Sequence, residues 1–221
     1  MRLAALYSGG KDSTYSVYMA QQLGLEVTAL VTVHPQEASM MYQVPNVEWA
    51  GLSAEALGIP HVEVRSGEGE EEELQAMRKG LERADAQGVV VGAVASDYQF
   101  VRVHEVCDEL GLWVYAPLWR KDPEQLVREY VDAGFRILVV SVSAEGLDIS
   151  WLGRILDAKA CDDLVEVHRT FGVHPTGEGG EFETWTVAGP NFESAITIQE
   201  AETRWNGTSG TYVVRQASLD S

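Results

Sequence analysis

Short apolar, largely β-branched runs alternate with amphipathic stretches through the first two thirds of this chain, and no other feature restricts its fold as strongly. The runs fall at residues 3–7, 27–33, 61–65, 89–95, 113–117 and 137–142. Several are apolar throughout, as strands buried on both faces must be. The stretches between them predict helices at 13–23, 47–57, 71–84, 99–110 and 123–133. Strand and helix in strict alternation make a parallel sheet flanked by helices, so the chain is of the α/β class.

Local punctuation agrees with these elements. Gly24, Gly58, Gly88, Gly111 and Gly134 each follow an amphipathic run, where a helix commonly ends in a left-handed residue. Asp122 before Pro123 reads as an N-cap with proline at the first helical position. The acidic run at 67–73 reads as a solvated loop and a favourably charged helix start.

The pattern changes after Leu147. Segments 146–157 and 162–172 read as a helical pair and 173–184 as a loop, and strands follow at 184–187, 195–201 and 211–215. The tip at 205–210 carries the Asn206-Gly207 turn signal. The expected division is an α/β domain over 1–145 and a smaller α+β domain over 146–221. The late hairpin would suit an oligomer interface or a plain sheet edge.

Composition removes several classes of function. The formal charge of −18, from 34 acidic against 16 basic residues, argues against direct nucleic-acid binding, which needs clustered Lys and Arg. No run approaches the roughly 18 to 20 apolar residues of a membrane helix, and the N-terminus is too soon broken for a signal peptide, so the expected location is the cytoplasm. Cys107 and Cys161 form no CxxC pair, so neither a metal ribbon nor a redox motif is expected.

One stretch carries chemistry directly. Ser8-Gly9-Gly10-Lys11-Asp12-Ser13 lies where the first strand hands over to the first helix, yet it does not have the Walker spacing. Gly9 and Gly10 let the backbone approach a ligand, the helix start offers N–H groups and a favourable dipole, and Lys11 adds a cation. Ser8 and Ser13 add hydroxyls. Asp12 either helps to hold a metal or caps the helix. In a parallel sheet ligands bind beyond the carboxyl ends of the strands, and Ser96-Asp97-Tyr98 and residues 144–148 follow predicted strands at that edge. Gln99, Arg102 and Glu105 then begin a helix, from which Arg102 could reach a phosphate or carboxylate or could form a surface salt bridge. Glu178, Glu181 and Glu183 lie beside three glycines, a density of carboxylates that repels itself unless a cation or donor compensates.

The SGGKDS loop after an N-terminal strand resembles that of the PP-loop ATP pyrophosphatases. With 94–119, 141–157 and 177–184 it is similar to the diphthine–ammonia ligase family of diphthamide synthesis, over nearly the whole length to about residue 195. The resemblance implies a HUP-like (adenine nucleotide alpha hydrolase-like) N-terminal domain and an ATP site at Ser8, Gly9, Gly10, Lys11, Asp12 and Ser13. It implies Mg2+ with Asp12 as a ligand, and catalytic roles for Lys11, Asp12 and Glu181. Tyr98, Gln99, Arg102, Trp151, Arg154, Glu178, Glu181 and Glu183 would then face substrate, with Tyr98 or Trp151 offering a ring face to a quaternary ammonium or serving the core.

The implied reaction amidates diphthine on translation elongation factor 2 with ammonium, through an acyl-adenylate, releasing AMP and pyrophosphate. No glutaminase domain is expected. Tyr42-Gln43 stand where relatives often carry an aromatic followed by histidine, and the chain lacks the long C-terminal extension of eukaryotic forms, which implies an archaeal-type unit. Two other readings stay open: an adenylating ligase for another carboxylate, and a nucleotide sensor that does not turn ATP over.

Overall fold

The computed structural model describes residues 1–35 and 47–220. The Tyr42-Gln43 stretch lies outside the described residues. The chain divides into two compact units, Met1–Trp119 and Arg120–Ser221. No helix among the described residues is long and apolar enough to cross a membrane.

The first unit runs β1 (Arg2–Leu6), α1 (Lys11–Gln22), β2 (Glu26–His34), a 3-10 turn (Val47–Trp49) entering α2 (Ala50–Ala56), β3 (His61–Arg65), α3 (Glu70–Arg83), β4 (Gly88–Val90), α4 (Asp97–Leu110) and β5 (Trp113–Tyr115). The five strands are parallel in the order β3-β2-β1-β4-β5. Leu3, Ala4 and Ala5 of the central strand are fully buried, which is why that strand reads as unbroken apolar sequence. The strand order turns round at β1: β2 and β3 build to one side, β4 and β5 to the other. Such a switch point opens a crevice between the loops that follow β1 and β4. One face of this sheet is closed by α3 and α4, through Leu74, Met77, Leu81, Val103 and Val106.

The second unit runs α5 (Pro123–Asp132), β6 (Arg136–Val142), a 3-10 turn (Ile149–Trp151), α6 (Ala158–Phe171), β7 (Phe182–Ala188), β8 (Ile196–Trp205) and β9 (Gly210–Leu219). Its strands are antiparallel in the order β7-β6-β9-β8. Trp185, Tyr130 and Phe182 are the largest side chains wholly inside the fold, and the first and last belong to β7. Asp122 caps α5 by accepting from Gln125 N at 2.9 Å, as its place before Pro123 predicts.

Three sequence expectations are corrected here. Residues 137–142 read as a further strand of the parallel sheet, but β6 pairs antiparallel with β7 and β9. An apolar run does not record its partner, and the β6 run is as apolar as those of the first sheet. The first compact unit ends at Trp119 and the second begins at Arg120, so residues 137–142 belong to the second.

Of the expected helical pair, the first member is only the 3-10 turn. Beyond it the chain extends along β6, with Val139 N donating to Arg154 O and Leu156 N to Ile137 O. Gly88 ends no helix, unlike Gly24, Gly58, Gly111 and Gly134, which all have positive φ. It opens β4, where a Cβ would lie 2.6 Å from Trp113 O.

Candidate active site

The loop between β1 and α1 is braced by its own serines. Gly10 N donates to Ser8 Oγ at 3.3 Å, Ser8 N to Ser13 Oγ at 3.4 Å, and Ser13 Oγ to Gly10 O at 3.2 Å. Gly9 holds φ +80, a conformation that glycine adopts without cost. Gly10 occupies the N-cap position, and no side-chain hydrogen bond caps it, an arrangement that suits an anion. Asp12 is therefore not the cap. Its Oδ2 lies 2.8 Å from Lys11 Nζ. Lys11 is only 3% exposed, and a cation so deeply placed needs a partner of opposite sign. The loop thus joins an uncapped helix start, a held lysine and a carboxylate.

Two neighbours that the sequence reasoning missed shape this loop. Gly92, just beyond β4, sits so close to α1 that a Cβ on it would lie 2.8 Å from Ser13 N and 2.9 Å from Asp12 C. Its signal was available: a glycine directly behind the β-branched run at the switch point. Tyr7 is buried, and its hydroxyl accepts from Thr14 Oγ1 at 3.2 Å. Burial pushes the phenol up to about 12 against the opposing bonds from Thr14 and Ser53, so Tyr7 stays protonated at neutral pH and is no base.

At the start of α4, Ser96 caps the helix by accepting from Gln99 N at 3.3 Å. Gln99 contributes this backbone donor. Arg102 is drawn into a cluster: Nη1 lies 2.9 Å from Glu105 Oε2, Nε pairs with Glu70, and the guanidinium stands 5.5 Å from the Tyr98 ring centre. Glu105, followed by Glu70, raises the guanidinium above its ordinary range. In this state Arg102 forms the ion pairs of the blander expectation, and it must exchange them to reach a ligand.

The remaining expected residues lie in the second unit. Trp151 is 5% exposed and carries the Arg154 guanidinium 4.5 Å above its ring centre. Arg154 is held by Asp163 at 2.6 Å, and Arg154 and Lys159 together keep the Asp163 carboxyl below the usual carboxylate range. One face of Trp151 is therefore already covered by a cation.

In the loop before β7, Glu181 accepts from His174 N at 2.9 Å and from Gly179 N at 2.7 Å. Ser143 reinforces the loop by donating from N to Glu181 O and from Oγ to Gly180 O, both at 2.8 Å. Glu181 thus folds the loop that carries Glu178, whereas Glu183, expected in the same loop, lies in β7 opposite Ser141. Glu181→Ala should strand two backbone donors, at about 1–3 kcal/mol each if they stay dry. Hydrogen exchange should then speed up at His174 and Gly179 while β6 and α5 keep their protection.

Neither cysteine is placed for chemistry. Burial raises the Cys107 thiol to about 12 and the Cys161 thiol to about 11. The thiolate is the reactive form. Both should resist iodoacetamide at pH 8 in the folded chain and react on unfolding. Rapid alkylation of the native protein would contradict this placement.

The fold and loop define a class: an α/β unit with a PP-loop-type SGGKDS sequence at its β1/β4 switch point. Comparison with known proteins narrows the class. The chain belongs to the diphthamide synthase family, since the family's N-terminal domain model matches residues 1–114 and its C-terminal domain model residues 122–219.

A diphthine–ammonia ligase of Homo sapiens is 35% identical over 91% of this chain and 84% of its own length. One from Danio rerio is 36% identical over 92% and 88%. The Saccharomyces cerevisiae relative is 29% identical over 87% of this chain but only 34% of its own length. The match thus takes in most of the vertebrate relatives' length and about a third of the yeast one's. A crystal structure described as a predicted subunit of tRNA methyltransferase from Methanocaldococcus jannaschii aligns over 88% of this chain and 99% of its own, at a TM-score of 0.44 and 13% identity.

Proposed function

We propose that this protein amidates diphthine on translation elongation factor 2, using ATP and ammonium in the cytoplasm. The observation that carries the reading is the SGGKDS loop, with Lys11 buried beside Asp12 at the uncapped head of α1, in a chain whose two parts match diphthamide synthase domains.

The diphthine carboxylate attacks the α-phosphorus of ATP, the α–β bond breaks, and pyrophosphate leaves with the bonding electrons. Lys11, the N–H groups at the head of α1 and the loop serines face the charge that grows on that leaving group. Ammonia, formed from ammonium by loss of a proton, then attacks the acyl carbon. The C–N bond forms, the C–O bond to the adenylate breaks, and AMP leaves behind the amide.

A magnesium ion suits this donor set. Mg2+ is commonly held by one or two carboxylates together with substrate phosphates, and Asp12 is the carboxylate at the loop. Bound there, it would neutralise charge on the departing pyrophosphate. Glu178 and Glu183 offer anionic partners for the quaternary ammonium of diphthine. Arg102, released from Glu70 and Glu105, would supply a cation for the carboxylate, with Tyr98 and Gln99 beside it. Trp151 and Arg154 support the substrate side, and Glu181 acts by shaping its loop.

The test is to incubate the protein with diphthine-bearing elongation factor 2, ATP, magnesium and ammonium, and to follow conversion of the acid to the amide by mass. AMP and pyrophosphate should accumulate with the amide. ADP and phosphate as products would sink the mechanism. AMP formation on a different acid, with no change in the elongation factor, would transfer the chemistry to another acceptor.

A further inference from the structure

Behind the phosphate loop lies a relay of polar groups that the proposed chemistry leaves unused. Thr32 of β2, 1% exposed, donates its hydroxyl to Tyr7 O at 2.8 Å, and Tyr7 is the residue from which the chain turns into Ser8. His61, the first residue of the edge strand β3, places Nε2 2.8 Å from the same hydroxyl oxygen. Its Nδ1 lies 3.2 Å from Glu63 Oε1.

Counting hydrogens makes this arrangement conditional. The Thr32 hydroxyl has one hydrogen. While Tyr7 O receives it, the contact with His61 requires an N–H on Nε2. Glu63, which as a carboxylate only accepts, draws a ring proton to Nδ1 instead. A neutral imidazole has one N–H and cannot serve both neighbours. With the proton on Nδ1, a bare Nε2 competes with Tyr7 O for the Thr32 hydrogen. An imidazolium serves both and leaves that hydrogen to the carbonyl.

We propose that Thr32 and His61 are positioning residues for the phosphate loop, such that uptake of a proton by His61 commits the Thr32 hydroxyl to the Tyr7 carbonyl and tightens the grip on ATP. Water supplies the proton to the ring, and no covalent bond other than N–H changes. The inference rests on the reading of SGGKDS as an ATP loop.

Among the described residues, the charged and titratable groups facing the imidazole come from its own strand and from β2. Glu63 stands on its own strand. From β2 comes His34, whose Nε2 lies 3.3 Å from Glu63 Oε2 outside hydrogen-bond geometry. From α2 comes Gly51, which brings no charge: a Cβ there would meet His61 Nδ1 and Glu63 Oε1 at 3.5 Å. Burial lowers His61 beneath its ordinary 6.5 and outweighs the opposing pull of Glu63, so the transition falls on the acid side of that value.

The test is calorimetric titration of the full chain with ATP and magnesium from about pH 5 to pH 8, the range in which histidine switches. In the wild type, affinity should weaken about fivefold as pH rises through the His61 transition, the worth of one neutral hydrogen bond. Thr32→Ser, which keeps the hydroxyl, should retain the step. Thr32→Val should remove it and bind at the weaker level throughout. Glu63→Ala, at a side chain 56% exposed and so safe for the fold, should remove it and bind at the tighter level. Ionisation of ATP itself is common to all four proteins and cancels between them.

The 15N signals of His61 in the ligand-free chain should show a neutral ring protonated at Nδ1 in the wild type and at Nε2 in Glu63→Ala. A Thr32→Val profile parallel to the wild type, or a Glu63→Ala profile with the step intact, would overturn the relay while leaving the ATP loop standing. A wild type that binds no ATP would overturn both.

Discussion

Lys11→Ala is expected to lower AMP formation by about a hundredfold to a thousandfold, the usual loss when one preorganised electrostatic contact to a transition state is removed. Lys11 is the cation of the SGGKDS loop and is held 2.8 Å from Asp12. Because it is placed before the ligand arrives, little reorganisation opposes its action on the leaving pyrophosphate. The variant should still fold. The β1 ladder and the serine braces do not pass through the ammonium, so the strand and the loop turn keep their own hydrogen bonds. Pyrophosphate release measured beside a melting curve separates the two effects. Undiminished turnover in a folded Lys11→Ala protein would remove the loop from the mechanism.

The second large effect is expected at a residue with no side chain. In Gly92→Ala the new methyl would stand 2.8 Å from Ser13 N and 2.9 Å from Asp12 C, both backbone atoms of α1. A flexible side chain could swing away from such a contact, but a helix start cannot. The first turn of α1 must move, and with it Lys11 and the N–H groups aimed at phosphate. Overpacking of this kind costs about 1–3 kcal/mol of stability. The expected loss in ATP affinity is at least about tenfold, of the order found when preorganised contacts are displaced. The experiment compares ATP binding in Gly92→Ala with that in Gly111→Ala. Gly111 holds φ +66, where any side chain is strained, but a Cβ there would meet nothing within 4 Å, so that variant should lose stability while ATP affinity is kept. Equal affinity losses in the two would show that Gly92 acts only through stability.

The sequence was most informative where chemistry and periodicity coincide. The SGGKDS loop, the five strands of the first sheet and the cap at Asp122 all follow from residue type and spacing. It was less informative where the outcome depends on which segments meet. Residues 137–142 look like the other apolar strands, and nothing within them distinguishes a parallel partner from an antiparallel one. Segment 146–157 has helical spacing, yet the backbone of residues 153–156 bonds to β6 instead. The glutamates of residues 178–183 were visible as a cluster, but that Glu181 spends its carboxylate on His174 N and Gly179 N depends on a loop closure that composition does not encode. Gly92 was visible as a glycine behind a β-branched run, but its approach to α1, like the contact of Thr32 with His61, depends on atoms brought together from different elements.

The ribbon of β8 and β9 has a consequence for engineering. These strands pair along nearly their whole length with each other, from Ile196 with Leu219 to Trp205 with Gly210, but β9 joins β6 only at Thr211 and Gly210. Asn206, Gly207 and Thr208 at its turn are exposed, and Asn206 Oδ1 accepts from the backbone N–H groups of Thr208 and Ser209. Added residues at such a turn interrupt no other pairing, and loop-closure entropy grows only slowly with length. The 206–208 turn is therefore the natural place to graft an affinity tag or fluorescent label, because the β8–β9 ladder on which it sits closes without it.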